Sequence, residues 1–575
     1  MARMIYQGRR QQINTATQSE IKPRTGAEVL VDALLQHRVN TAYCVPGESF
    51  LAVIDALYEA REKIQLIVGR QEGGVVHMAE AYGKLTGEPG ICFVTRGPGA
   101  TNGAIGIHTA SQDSTPLIMF VGHVARDTTG REAWQEIDYT HMFGRMVKWV
   151  EHVDDARRLP EFISRAFHVA TSGRPGPVVL ALPEDMLTEV VSVADTPRYH
   201  RVSYHPGPDA MSRLQDMLQQ AQRPLVLLGG GGWSRAAGDA LSRFAENYDL
   251  PVACGFRRQD LMDNRHPHYV GDAGLGMDPR LAARISQADL ILAVGGRLGE
   301  TSTNAYTLLE VPKPRQALVH VHLDPNELGR VYHADLPIHA GMLEFATAAA
   351  ALPAPAQAPW HAWTQSARAD YLDNLKHTRV EKGVDMGEVM QLLREQLPED
   401  SIITNGAGNY AGWVHRFYQN RGFRTQLAPT SGTMGYGLPA AISAKLVYPG
   451  RTVVCFAGDG CFMMNGQELA TAVQYGINVI IIVVNNGMYG SIRMHQEKFY
   501  PERVYATDLI NPDFVALGQA YGAMSIRVER TEDFAAAFEK ARSCNRPALI
   551  EVLTDPELIT PRATVASLRA AAKKG

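Results

Sequence analysis

The stretch Cys455-Phe-Ala-Gly-Asp-Gly-Cys461 is an apolar run that breaks at Gly458-Asp459-Gly460, and a second apolar run, Asn478 to Val484, breaks at Asn485-Asn486. A helical pattern containing Gln467 to Tyr475 separates them, so the whole reads as one β-α-β unit. Asp459 and Asn486 stand 27 residues apart, yet each follows a parallel strand at the same end, so their side-chain oxygens can converge. Two hard oxygen ligands suit Mg²⁺, which shares its octahedron with waters and phosphate oxygens. The flanking glycines let backbone amides approach a diphosphate, and the helix start adds a favourable dipole.

Such chemistry needs strands to aim it. ICFVT (91–95), PLIMFVG (116–122), PVVLALP (177–183), PLVLLGGGG (224–232), LILAVGG (290–296) and TVVCFAGDG (452–460) are apolar on both faces and alternate with helical patterns. Strands covered by helices on two sides look like this, so the fold class is α/β with parallel sheets. Polar, proline-bearing segments at 196–209 and 352–363 divide the chain. The expected organisation is a flexible tail over 1–24, doubly wound domains over 25–190, 205–350 and 375–560, a linker over 351–374 and a second tail over 561–575. The first and third blocks end in similar strands, PVVLALPED and PALIEVLTDPE, which hints at like folds in tandem.

Composition narrows the function. Of 575 residues, 56 are Lys or Arg and 60 are Asp or Glu, so no polycation exists to neutralise a nucleic-acid backbone. The run Ile477–Val484 is too short to cross a bilayer, which excludes a membrane partner on this reading. Six cysteines without a C-x-x-C pair fit a reducing cytoplasm. The basic residues near the start are read as part of a frayed tail rather than as a targeting segment.

The G-D-G…N-N spacing resembles the diphosphate-binding motif of thiamine-diphosphate enzymes. The resemblance extends along nearly the whole chain to their acetolactate synthase and pyruvate oxidase branch. VPGES (45–49), GRQEGGVVHMAEAYGKLTG (69–87), TRGPGATNG (95–103) and PTSGTMGYGLP (429–439) follow in family order. The resemblance implies three domains, one binding the pyrimidine, one central and one binding the diphosphate. It also implies thiamine diphosphate with Mg²⁺, held by Asp459, the Asn486 side chain and the Met488 carbonyl. Glu72 would be the carboxylate at pyrimidine N1′, Met434 the wedge between the rings, and Gly432 the carbonyl facing the 4′-amino group. Pro46, Pro98, Asn102, Asn409, Tyr410, Gly458, Gly460, Cys461, Tyr489 and Gly490 complete the implied cofactor contacts.

The implied activity is decarboxylation of a 2-oxo acid and ligation to a second carbonyl, in a homodimer or dimer of dimers with sites at the interface. A simple 2-oxo acid decarboxylase and a 2-hydroxyacyl-CoA lyase are alternatives within the superfamily, and a flavin-linked oxidoreductase is one outside it.

The pattern departs from acetolactate synthases at several places. His495 stands where they have a tryptophan lining the acceptor pocket, and His123 where they carry glutamine; both are candidate catalytic residues. Gln71 and Gly73 replace the usual residues beside the glutamate. In the middle block, G-x-G-x-x-G counted from Gly229 reaches Ser234, so the dinucleotide fingerprint fails. Acetolactate synthases hold FAD on this domain, but their G-x-R-F-D-D-R segment appears as GGRLGET (295–301) without either aspartate, which leaves FAD open. His77, His108, His141 and His415 are read as structural.

Overall fold

A computed structural model describes residues 22–573 except residue 356. It contains three six-stranded parallel sheets. The N-terminal sheet has β1 (Thr41–Cys44), β2 (Gln65–Val68), β3 (Gly90–Val94), β4 (Leu117–His123), β5 (Trp149–His152) and β6 (Pro177–Pro183), in the order β2-β1-β3-β4-β6-β5. The middle sheet has β7 (Pro224–Leu228), β8 (Val252–Gly255), β9 (Tyr269–Ala273), β10 (Leu290–Val294), β11 (Ala317–His322) and β12 (Leu336–His339), ordered β9-β8-β7-β10-β11-β12. The C-terminal sheet has β13 (Ile402–Asn405), β14 (Gln426–Leu427), β15 (Val453–Gly458), β16 (Ile480–Asn485), β17 (Met524–Val528) and β18 (Ala548–Leu553), ordered β14-β13-β15-β16-β18-β17.

The N- and C-terminal sheets therefore share one strand order, and the tandem hint at the sequence level has its counterpart in topology. Every residue of β3, β4, β6 and β15 is buried, because helices cover both faces. In the outer sheets the order reverses between the first and third strands, and such crevices at carboxyl ends are where open α/β sheets bind ligands. The loops at these two crevices are Val45–Gly47 with Thr95–Gly97, and Gly406–Gly408 with Asp459–Gly460.

Three expected boundary segments carry structure of their own. Residues 1–21 of the expected N-terminal tail lie outside the described residues, but Arg24–Thr25 already pairs antiparallel with Val190–Val191, and Arg24 bridges Asp32 and Asp195. The expected linker contains a helix, His361–Asn374, because Trp360 and Tyr371 bury against the middle core and Trp360 Nε1 donates to the Tyr248 carbonyl at 3.0 Å. The expected C-terminal tail forms a helix, Val565–Ala572, capped by Thr564 and anchored by Arg569 on the buried Glu497 at 2.8 Å. Proline-rich composition masked the first helix, and alanine with no long apolar stripe masked the second.

All six cysteines are free and five are buried. No helix among the described residues is long and apolar enough to cross a membrane.

Burial keeps several histidines neutral. His37, His77, His123 and His322 are each pushed down to about 4, and His415 to about 3, chiefly by loss of water around the charged form. Unfolding at acidic pH must therefore take up protons, so the stability these groups allow is full above about 6.5 and falls as pH drops toward 4. Calorimetry should show Tm declining through that window, with net proton uptake on unfolding near pH 5.5. A Tm flat from pH 7 to pH 5 would contradict this.

Candidate active site

At the carboxyl ends of β13, β15 and β16, a cavity of about 250 Å³ collects most of the expected diphosphate-side residues. Gly458 and Asp459 enter from β15, Asn486 follows β16, and Met488, Tyr489 and Gly490 lead into the helix Gly490–Phe499. Asn409 and Tyr410 line one wall, with Cys461 beside them; Gly432 and Met434 close the end toward the 429–436 loop.

Asp459 is 2% exposed. Its Oδ1 accepts from Gly460 N at 2.9 Å, and its Oδ2 from Gly487 N at 2.9 Å and Asn511 Nδ2 at 2.8 Å. Burial holds its carboxyl above the usual carboxylate range. Asn486 Oδ1 accepts from Met488 N at 3.3 Å, which folds the turn so that Met488 lines the same cavity. Gly487 has φ +68°, a left-handed value that side chains resist.

The glycines at Asp459 are required by packing. A Cβ at Gly458 would sit 2.8 Å from the Tyr410 ring, and one at Gly460 would sit 2.6 Å from the Tyr489 ring. Tyr410 cannot swing aside cheaply, since its hydroxyl accepts from Gly406 N at 3.0 Å and donates to Cys461 Sγ at 3.3 Å. Cys461 Sγ also accepts from Gly435 N at 3.2 Å, so this thiol ties the Asp459 helix to the Met434 loop. Gly458→Ala should cost about 1–3 kcal/mol of stability through overpacking. A thermal melt and a cofactor titration check this, and an unchanged Tm would contradict the contact.

Asn409, expected as a diphosphate contact, lines this cavity and is also held by its neighbours. Its Nδ2 donates to the Ile559 carbonyl at 3.1 Å and its Oδ1 accepts from Ser491 Oγ at 2.9 Å, so it braces the wall from within.

The pyrimidine-side residues form a second cluster, on the N-terminal sheet. Glu72 opens the helix Glu72–Thr86, and its Oε2 accepts from Asn102 Nδ2 at 2.9 Å. Gln71 caps that helix by accepting from Gly74 N at 3.1 Å, and a Cβ at Gly73 would lie 2.7 Å from Gln71 Oε1. The two departures beside Glu72 are thus a matched pair: the glutamine cap needs the glycine. Pro46, Pro98 and Asn102 are exposed in one chain, and none of these residues, Glu72 included, lines the Asp459 cavity.

His123 ends β4 as expected but is 2% exposed, with its ring 5.0 Å from those of Tyr139 and His152. It lines neither large cavity, and the structure does not bring it to the diphosphate side within one chain. His495 is exposed, stacks on Phe499, and lines a neighbouring cavity of about 770 Å³.

Two residues escaped the sequence reading. Asn511 donates to both Asp459 Oδ2 and Asn485 Oδ1, but an Asn-Pro pair in a polar stretch looks like any turn. Glu468, fully buried, accepts from the backbone of Arg70 at 3.0 Å and Gln71 at 3.1 Å and so fixes the turn that carries Glu72. Its signal was an acid opening an otherwise apolar helix, Glu468–Gln474.

At the middle-sheet crevice, Gly229–Gly230 and Gly296–Arg297 enclose about 100 Å³, and Arg297 donates to the Gln112 carbonyl at 2.9 Å.

The chain matches three family descriptions in order. These are the thiamine pyrophosphate enzyme N-terminal TPP binding domain over residues 24–142, the central domain over 211–349, and the C-terminal TPP binding domain over 406–552. Its relatives include an acetolactate synthase large subunit from Parasynechococcus marenigrum, 35% identical over 92% of this chain and 87% of that one. An acetolactate synthase from Arthrospira platensis is 31% identical over 92% of this chain and 94% of its own length, and a large subunit from Lactococcus lactis is 31% identical over 92% and 93%.

Proposed function

Because the chain belongs to the thiamine pyrophosphate enzymes and is acetolactate synthase-like, we propose that it decarboxylates a 2-oxo acid and joins the product to a second carbonyl, with thiamine diphosphate and Mg²⁺. The observation that carries this reading is the gathering of Gly432, Met434, Gly458–Cys461, Asn486 and Met488–Gly490 on one cavity. When bound, the cofactor supplies the carbon nucleophile and the electron sink for CO₂ loss.

The chain's own residues hold, orient and shield it. The Asp459 carboxylate, the Asn486 amide and the Met488 carbonyl would offer hard oxygens to Mg²⁺, which would neutralise diphosphate charge there. Met434 presents an apolar wedge that favours a bent cofactor, and the Gly432 carbonyl an acceptor for the amino group. Glu72 holds a proton at the pyrimidine nitrogen. His495 would give the acceptor side a hydrogen-bonding ring in place of a flat apolar wall.

Glu72, Pro98 and Asn102 stand apart from the cavity, which supports a homodimer in which each site takes its pyrimidine side from one protomer and its diphosphate side from the other. Six unpaired cysteines support a cytoplasmic setting.

CO₂ release from a panel of 2-oxo acids, with and without cofactor and Mg²⁺, tests the reaction. Product analysis with pyruvate alone against pyruvate plus an aldehyde separates ligation from simple decarboxylation. No cofactor-dependent CO₂ from any 2-oxo acid would overturn the reading.

A further inference from the structure

The cavity of about 770 Å³ lies between the middle and C-terminal sheets and adjoins the Asp459 cavity, with which it shares Ala407, Gly408, Asn409, Gly432 and Ser491. Its wall contains a side chain that nothing above uses. Arg257, two residues beyond β8, is 4% exposed, and its backbone sits at φ +59°, a left-handed value rare for a branched or long side chain.

The other arginines around this cavity are spoken for. Arg284 pairs with Asp370 at 2.5 Å, Arg416 donates to the carbonyls of Asn374 and Pro561 at 3.0 and 2.9 Å, and Arg562 donates to Asn374 Oδ1 at 2.6 Å. Arg257 differs. Its Nη1 donates to the Pro429 carbonyl, its Nε is enclosed without a partner, and among the described residues no carboxylate pairs with it. Its guanidinium lies 4.7 Å over the Phe256 ring, which fixes its plane but supplies no anion. Asp113 and Asp272 act on it only from beyond ion-pair distance, and a buried cation with no carboxylate in contact, kept beside a cavity, leaves a place for an anion.

Asp272 also lines this cavity, with Oδ1 closed off from water and unpartnered. Burial pushes its carboxyl up to about 8 against the opposing pull of Arg257, which favours the uncharged acid, a form able to donate to an anion.

We propose that Arg257 binds the carboxylate of the substrate, with Asp272 as a second hydrogen-bonding wall, so that this cavity takes small 2-oxo carboxylates and rejects uncharged carbonyl compounds of the same shape. The proposal rests on the reading of the chain as a 2-oxo acid enzyme and adds the residue that recognises the acid. The Pro429 contact places the Arg257 guanidinium on the same loop as Gly432 and Met434, which brings the bound carboxylate to the cofactor side of the cavity.

The test uses the full chain loaded with thiamine diphosphate and Mg²⁺, and two unreactive probes of equal shape, oxamate and its uncharged amide oxamide. Calorimetry should show the wild type binding oxamate at least about tenfold more tightly than oxamide, as expected for a charge-assisted pair. Arg257→Met should erase the preference and raise KM for 2-oxo acids more than it lowers kcat. Arg257→Lys should keep part of the preference, and cofactor affinity in both should stay near that of the wild type. Equal binding of the two probes by the wild type, a measurement that needs no variant, would overturn the proposal, as would a preference that survives in Arg257→Met. If no 2-oxo acid releases CO₂ while the oxamate preference is present and depends on Arg257, the reaction reading fails and the carboxylate site stands.

Discussion

Replacing Asp459 with alanine should sharply weaken Mg²⁺-dependent binding of thiamine diphosphate while the chain remains folded. Asp459 sits at the crevice of the C-terminal sheet with one oxygen toward Gly460 N and the other toward Gly487 N and Asn511. Without it the diphosphate faces glycine amides but lacks the carboxylate that shares its cation, and affinity should fall by roughly two orders of magnitude or more. Asp459→Asn keeps the shape and an acceptor oxygen and separates lost charge from lost packing. Isothermal titration with and without chelator reads the effect. Wild-type affinity in either variant, equally insensitive to chelator, would remove Asp459 from the metal site.

Glu72→Gln produces a different failure. The amide can still accept from Asn102 Nδ2, and Gln71 still caps the helix, so fold and cofactor binding should persist. What the amide cannot do is hold a proton against the pyrimidine nitrogen. Exchange of the C2 hydrogen of the bound cofactor should slow by about 10²–10⁴, the range that a positioned acid or base contributes. Hydrogen–deuterium exchange followed by NMR reads this step without turnover. Exchange as fast as in the wild type would assign the proton chemistry to another group.

Much of this arrangement was legible in the sequence for physical reasons. Strands buried on both faces leave unbroken apolar runs, and a ligand at a sheet crevice forces polar and glycine residues to the ends of those runs, as at Gly458–Gly460 and Asn485–Asn486. Elements held by few anchors were not legible. The helix His361–Asn374 is fixed by Trp360 and Tyr371 against a core built from distant residues, and no local pattern announces that. The same holds for partners brought together only by folding: Glu468 meets Arg70 and Gln71 across 398 and 397 positions of chain. His123 shows the limit in the other direction, since the end of a strand is visible in sequence but burial against Tyr139 and His152 is not.

The central claim is that Glu72 and Asp459 serve one reaction centre although each lies on a separate sheet, in separate clusters of a single chain. Mixing Glu72→Gln and Asp459→Ala chains under conditions that exchange subunits tests it directly. Each hybrid dimer would hold one site with both residues intact and one with neither. With random exchange half the dimers are hybrids, so about a quarter of wild-type activity should return from two inactive parents. If mass measurement confirms hybrid dimers and CO₂ release stays at the level of the parents, the two residues do not meet across an interface and the account is wrong.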